Sequence, residues 1–133
     1  MPNNVQTITV SDTNGSGKAL VLVTGATHAA YNQRVEVTIV DSSGASDSHT
    51  FNGTGENVPF TSIFQKRVSS LPATVTFTFT YSINGVNYDP APRSQQATLH
   101  DGQNAQFYQV TSEDATDNDD NDSYMYCSVH HHG

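Results

Sequence analysis

Apolar and polar positions alternate strictly over residues 74–81, Thr-Val-Thr-Phe-Thr-Phe-Thr-Tyr, which puts Val75, Phe77, Phe79 and Tyr81 on one face. A period of two with β-branched and aromatic residues predicts a strand with one buried and one wet side. Similar runs predict strands over 5–10, 19–24, 34–40, 49–52, 74–83 and 94–99, and two more over 106–110 and 124–129. No segment carries a helical period. Asn84-Gly85 between Ile83 and Val86 predicts a two-residue hairpin turn. Segments 11–17 and 41–48, rich in Ser, Gly and Asp, read as surface loops, and Pro90-Ala91-Pro92 reads as a rigid connection. About nine short strands separated by such turns argue for an all-β fold, an antiparallel β-sandwich.

With 133 residues and 35% hydrophobic content, the chain is expected to form a single domain over 1–133 with a modest core. It has no apolar run of membrane length, and residues 1–10 lack a secretory pattern. The expectation is a soluble, cytoplasmic protein, with leaderless export to the cell surface or extracellular space left open. A single cysteine, Cys127, excludes an internal disulfide and reads as a buried, inert thiol.

The net charge of −8 is concentrated in one place. Residues 112–122 read Ser-Glu-Asp-Ala-Thr-Asp-Asn-Asp-Asp-Asn-Asp and hold six carboxylates, on Glu113, Asp114, Asp117, Asp119, Asp120 and Asp122; without them the chain carries only −8 + 6 = −2. Five scattered Lys and Arg residues make no basic face, so nucleic acid is excluded as a partner. An acidic run is usually a solvated loop or tail. This one is flanked by two predicted strands, which force its oxygens to converge, and convergent hard oxygens point to calcium. From Asp117 the EF-hand pattern is met at Asp119 and Asn121, but it fails at Asp122 and Ser128, where Gly and Glu are required.

The run Ser-Glu-Asp-x-Thr-Asp-Asn-Asp-x-Asn-Asp, followed by one last strand and a glycine end, resembles the soluble bacterial fucose/mannose lectins that bind two adjacent calcium ions. The resemblance implies that Glu113, Asp117, Asp119 and Asp122 hold the first ion. Asp119 and Asp122 would bridge to a second, which Asn121 also ligates. The terminal carboxylate of Gly133 would complete the site of a neighbouring subunit, so a homodimer or tetramer is implied. Four side chains and one terminus then give −5 against +4, close to neutrality. The resemblance also places His28 at a position that ligates the second ion by its backbone oxygen. Ala29 and Ala30 follow it at positions that tune sugar preference, and the Ala-Ala pair leans towards mannose. Asp114, Asp117, Asp119, Asp122 and Gly133 complete the sugar-binding set. The chain departs from the family pattern at Ala115, where the family has Gly, at Asp120, where it has an aromatic, and in its last strand, which is one residue longer and ends on His130-His131-His132.

The expected function is therefore a carbohydrate-binding lectin in which two calcium ions coordinate sugar hydroxyls. The alternative is a structural calcium-binding adhesion module without sugar binding. A glycosidase is rejected, because an acid catalyst needs a carboxyl kept protonated in an apolar pocket while calcium holds every carboxylate ionised. Tyr31 and Tyr88 could stack on a sugar, and read more simply as loop tyrosines. The three terminal histidines read as native and without function, a transition-metal site being one alternative.

Overall fold

The structure, a computed structural model, describes residues 2–114 and 122–132. Among them there is no helix, hence none long and apolar enough to cross a membrane. Nine strands form: β1 (Val5–Val10), β2 (Ala19–Val40), β3 (Ser46–Pro59), β4 (Phe64–Val68), β5 (Ala73–Ser82), β6 (Asp89–Pro90), β7 (Arg93–Asp101), β8 (Ala105–Glu113) and β9 (Ser123–His131). All their pairings are antiparallel. The expected all-β sandwich is the fold observed.

β2 organises the architecture. At ~3.3 Å per residue its 22 residues would run to roughly 70 Å if straight, about twice the diameter of a compact chain of this size. It must therefore bend and change partners. Its first half pairs with β4 on one side and β9 on the other, and β8 and β7 continue that sheet. Its second half lies between β3 and β5, and β1 extends that second sheet. The bend passes Gly25, where a Cβ would overlap the Met125 thioether and come within 2.8 Å of the Tyr124 carbonyl. Only glycine lets β2 and β9 approach so closely there.

The inward residues of both sheets meet in one core: Val21 and Val23, Val35, Val37 and Ile39, Val75, Phe77 and Phe79, Val110, Met125, Cys127 and Val129. Burying each large side chain contributes about 1.5–3 kcal/mol. The edges of β1 and β7 close on each other through side chains: Gln6 Nε2 donates to Ser94 Oγ at 3.0 Å, and Ser94 Oγ donates to the Asn3 carbonyl at 2.6 Å.

Several expectations are corrected. Residues 19–40 are one strand, not two strands around a loop, because pairing continues through bulges at Thr27/His28 and Ala29/Gln33. β3 reaches well beyond 49–52 and takes in 46–48; it pairs only with β2 and buries only Phe51 among its side chains, so its polar ends carry no alternation. β4, unpredicted, is an edge strand whose Gln-Lys-Arg interior looks like a loop. The two-residue turn at Asn84-Gly85 does not form; β5 meets β6 farther out, at Tyr81↔Asp89 and Thr80↔Pro90. Instead Asn84 Oδ1 accepts hydrogen bonds from Ser82 Oγ, Val86 N and Asn87 N, and the chain curls around that side chain.

Candidate metal and ligand site

β8 and β9 are neighbours, so the acidic run between them begins and ends on adjacent strands, with Ser112 opposite Ser123. The ladder fixes its two ends. Asp122 N donates to the Ser112 carbonyl at 2.9 Å, and Asp114 N donates to Asp122 Oδ2 at 2.8 Å and to Glu113 Oε1 at 3.1 Å. The consequence is convergence: Glu113, Asp114 and Asp122 are each 1% exposed, and each offers an oxygen within 4.8 Å of the others.

Such a cluster is electrostatically costly. Burial, followed by the hydrogen bond with Glu113, pushes the Asp122 carboxyl up to about 9; the charges of Asp114 and Glu113 add to this, and only the Asp114 N–H pulls the other way. Arg93 supplies one counter-charge, its Nη2 lying 3.5 Å from Glu113 Oε2 at the Arg93↔Glu113 pair. Asp122 Oδ1 is buried and has no hydrogen-bond partner among the described residues. An all-oxygen donor set with an orphaned carboxylate oxygen suits a hard divalent cation such as calcium. Asp117, Asp119, Asn121 and Gly133 lie outside the described residues, as do Ala115 and Asp120.

The bulged stretch of β2 reaches the same place. His28 N donates to the Asp122 carbonyl at 2.9 Å, which sets His28 beside the acidic cluster. The His28 Nδ1 is buried without a partner among the described residues. Ala29 is buried and Ala30 exposed. Three residues, 30–32, stand between the pairs Ala29↔Gly55 and Gln33↔Gly53, opposite Thr54 alone.

Gln33, which the sequence reading passed over, is 1% exposed and joins these parts. Its Nε2 donates to the Tyr31 carbonyl and to Asp114 Oδ2, both at 3.3 Å, and its Oε1 accepts from Ser123 Oγ at 3.0 Å. A polar residue in a strand's inward register was the available signal. Tyr31 stacks on Tyr81, ring centroids 6.0 Å apart, and Arg34 lies 3.7 Å over the Tyr88 ring. Each of these aromatic faces thus has a protein partner.

The terminal histidines divide between faces. His131 points inward and bonds Gln106 Oε1 at 2.7 Å, burial holding its pKa below the usual imidazole value, while His130 bonds Ser128 Oγ at 3.2 Å. Among the described residues the acidic trio is the metal-competent group, and the histidines form none. Cys127 is buried, its thiol pushed up to about 12 by desolvation, as an inert core thiol requires.

The profile of the fucose-binding lectin II (PA-IIL) family matches residues 14–131. Among solved structures, the Ralstonia solanacearum high-affinity mannose-binding lectin is similar with a TM-score of 0.57 at 21% identity, covering 96% of each chain. Chromobacterium violaceum lectin CV2L, solved in complex with alpha-methyl-fucoside, gives 0.58 at 20% identity, again over 96% of each. The C-terminal domain of the BC2L-C lectin from Burkholderia cenocepacia gives 0.55 at 22%, covering 85% of this chain and 94% of that one. At such identities the likeness is one of fold. No curated protein sequence matches the chain.

Proposed function

From the chain's membership of the fucose-binding lectin II (PA-IIL) family, a family of carbohydrate-binding proteins and not of enzymes, we propose that it is a calcium-dependent lectin for mannose- or fucose-type sugars, acting as one domain over 1–133. The observation that carries the proposal is the buried trio Glu113, Asp114 and Asp122 with the unpartnered Asp122 Oδ1. If all three are ionised, the trio and Arg93 sum to −3 + 1 = −2, the charge a divalent cation offsets.

In this reading Glu113, Asp117, Asp119 and Asp122 hold one calcium ion, and Asp119, Asn121 and Asp122 hold a second with the His28 carbonyl. Gly133 of one subunit completes the site of another, making the lectin a homo-oligomer. Bound calcium would supply open coordination positions for vicinal hydroxyls. Asp114, Asp117 and Asp122 would accept the hydrogen bonds of those hydroxyls, and their charge would orient the sugar. Ala29, buried, and Ala30, exposed, are both small and apolar at the positions that would tune sugar preference, which favours mannose. Weak individual sites then gain avidity from multivalent display.

Calorimetric titration of methyl mannoside and methyl fucoside into calcium-loaded protein, with a chelated control, tests this. Binding abolished by chelation, and tighter for mannoside, is expected. Calcium binding without heat from either sugar would instead support a structural calcium module.

A further inference from the structure

We infer that Gln33 is a positioning residue that couples the neutral half of the ligand site to its charged half. The inference rests on the lectin reading and adds a residue to it. Two stretches far apart in sequence meet at this one buried amide: the bulge of β2 through the Tyr31 carbonyl, and the two flanks of the acidic run through Asp114 and Ser123. The contacts to Asp114 and Ser123 span 81 and 90 residues of chain.

The chemistry of the amide makes the arrangement directional. Both Nε2 hydrogens are engaged, by a carbonyl and by a carboxylate, while Oε1 faces a hydroxyl that donates. Rotating the amide by half a turn would set Oε1 against two acceptors and forfeit both bonds, so one orientation wins. Asp114 therefore keeps one oxygen turned to the amide, in a pocket where an unmatched carboxylate would be costly. The same amide pins the Tyr31 carbonyl where residues 30–32 lack consecutive ladder partners in β3. Thr54 Oγ1 also donates to that carbonyl, at 3.4 Å, but from β3 and not from the acidic run. His28 N on the Asp122 carbonyl joins the two halves at the opposite end of the bulge.

Gln33→Met keeps the length and removes every polar contact, and Ser123→Ala releases one bond of the three. Sugar and calcium affinities are measured by calorimetry, alongside backbone amide exchange in calcium-loaded protein. The expected result is sugar affinity about tenfold weaker in Q33M and about threefold weaker in S123A, with calcium affinity unchanged, since a hydrogen bond to a charged group is lost in the first and a neutral one in the second. Amides of residues 28–31 should exchange at least about tenfold faster in Q33M, and those of 35–39 at the wild-type rate. Unchanged sugar affinity and exchange would overturn the inference. So would a parallel loss of sugar affinity, calcium affinity and protection at 35–39, the mark of a merely structural residue. If Q33M does not fold, S123A with unchanged sugar affinity and exchange at 28–31 overturns it alone. A wild-type chain that binds calcium but no sugar would sink the lectin reading, and the exchange measurement would still decide the coupling.

Discussion

Loading the acidic cluster with calcium should expel a proton at neutral pH. Oxygens of Glu113, Asp114 and Asp122 within 4.8 Å of one another repel by about 3 kcal/mol per ionised pair at an effective dielectric of ~20. One proton removes two of the three pairs, and Asp122, its carboxyl pushed up to about 9 by burial and its hydrogen bond with Glu113, takes it. At pH 7 such a group is about 99% protonated, and at pH 10 about one-tenth. A cation held by Glu113 and Asp122 requires the ionised form. Titrating calcium in buffers of different ionisation enthalpy at pH 7 should report release of about one proton, falling to roughly a tenth at pH 10. The linkage has a definite sign. The folded pKa lies above the unfolded value of 3.8, so the metal-free chain holds its full stability from this group below pH 4 and loses it as pH rises towards 9. Calcium should therefore raise the melting temperature more at pH 8 than at pH 5. Calcium binding whose enthalpy is the same in every buffer at pH 7 would refute the reasoning.

Further expectations concern the surroundings of the cluster and the core. Arg93→Met removes the partly exposed counter-charge on Glu113 and should lower the melting temperature in chelator by roughly 4 °C, an effect of about 1 kcal/mol, with a smaller loss in calcium; an equal loss in both would show that Arg93 does not act through the cluster. Phe77→Ala should cost about 3–5 kcal/mol in denaturant unfolding, because the ring is fully buried and the sheet cannot collapse around the void. Cys127, with its thiol pushed up to about 12, should resist alkylation at pH 8 until the chain unfolds; labelling as fast in buffer as in denaturant would place it outside the core.

What the sequence disclosed and what it hid divide along physical lines. β1 was legible to the residue, and so was the alternation of β5 as far as Phe79, because each turns one face to the core; it breaks at Tyr81, which is half-buried while Ser82 is buried. The continuity of β2 was not, since residues 27–31 look like a loop until β9 is seen to pair as far as Thr27, β5 to begin at Asn32 and β3 to resume at Gln33. β4 was hidden by charges that an edge strand tolerates. Glu113, Asp114 and Asp122 were legible as ligand candidates because the charge density of one short run betrays them. Gln33, Ser123 and Arg93 were not. They reach the cluster from other strands or face it through register; the inward register of Gln33 marks it as buried, but nothing local names Asp114 as its partner.

The bulged stretch of β2 also bears on how such a chain can change over time. Outside it, the strand's inward residues are locked three ways, by a ladder on each side and by the core; a substitution at Val21 or Val35 must satisfy all three at once. At residues 30–32 the ladder with β3 is interrupted, so a new side chain there answers to fewer neighbours. Mutations can therefore accumulate beside the ligand site without passing through an unfolded intermediate genotype. The scaffold stays heritable while its taste drifts.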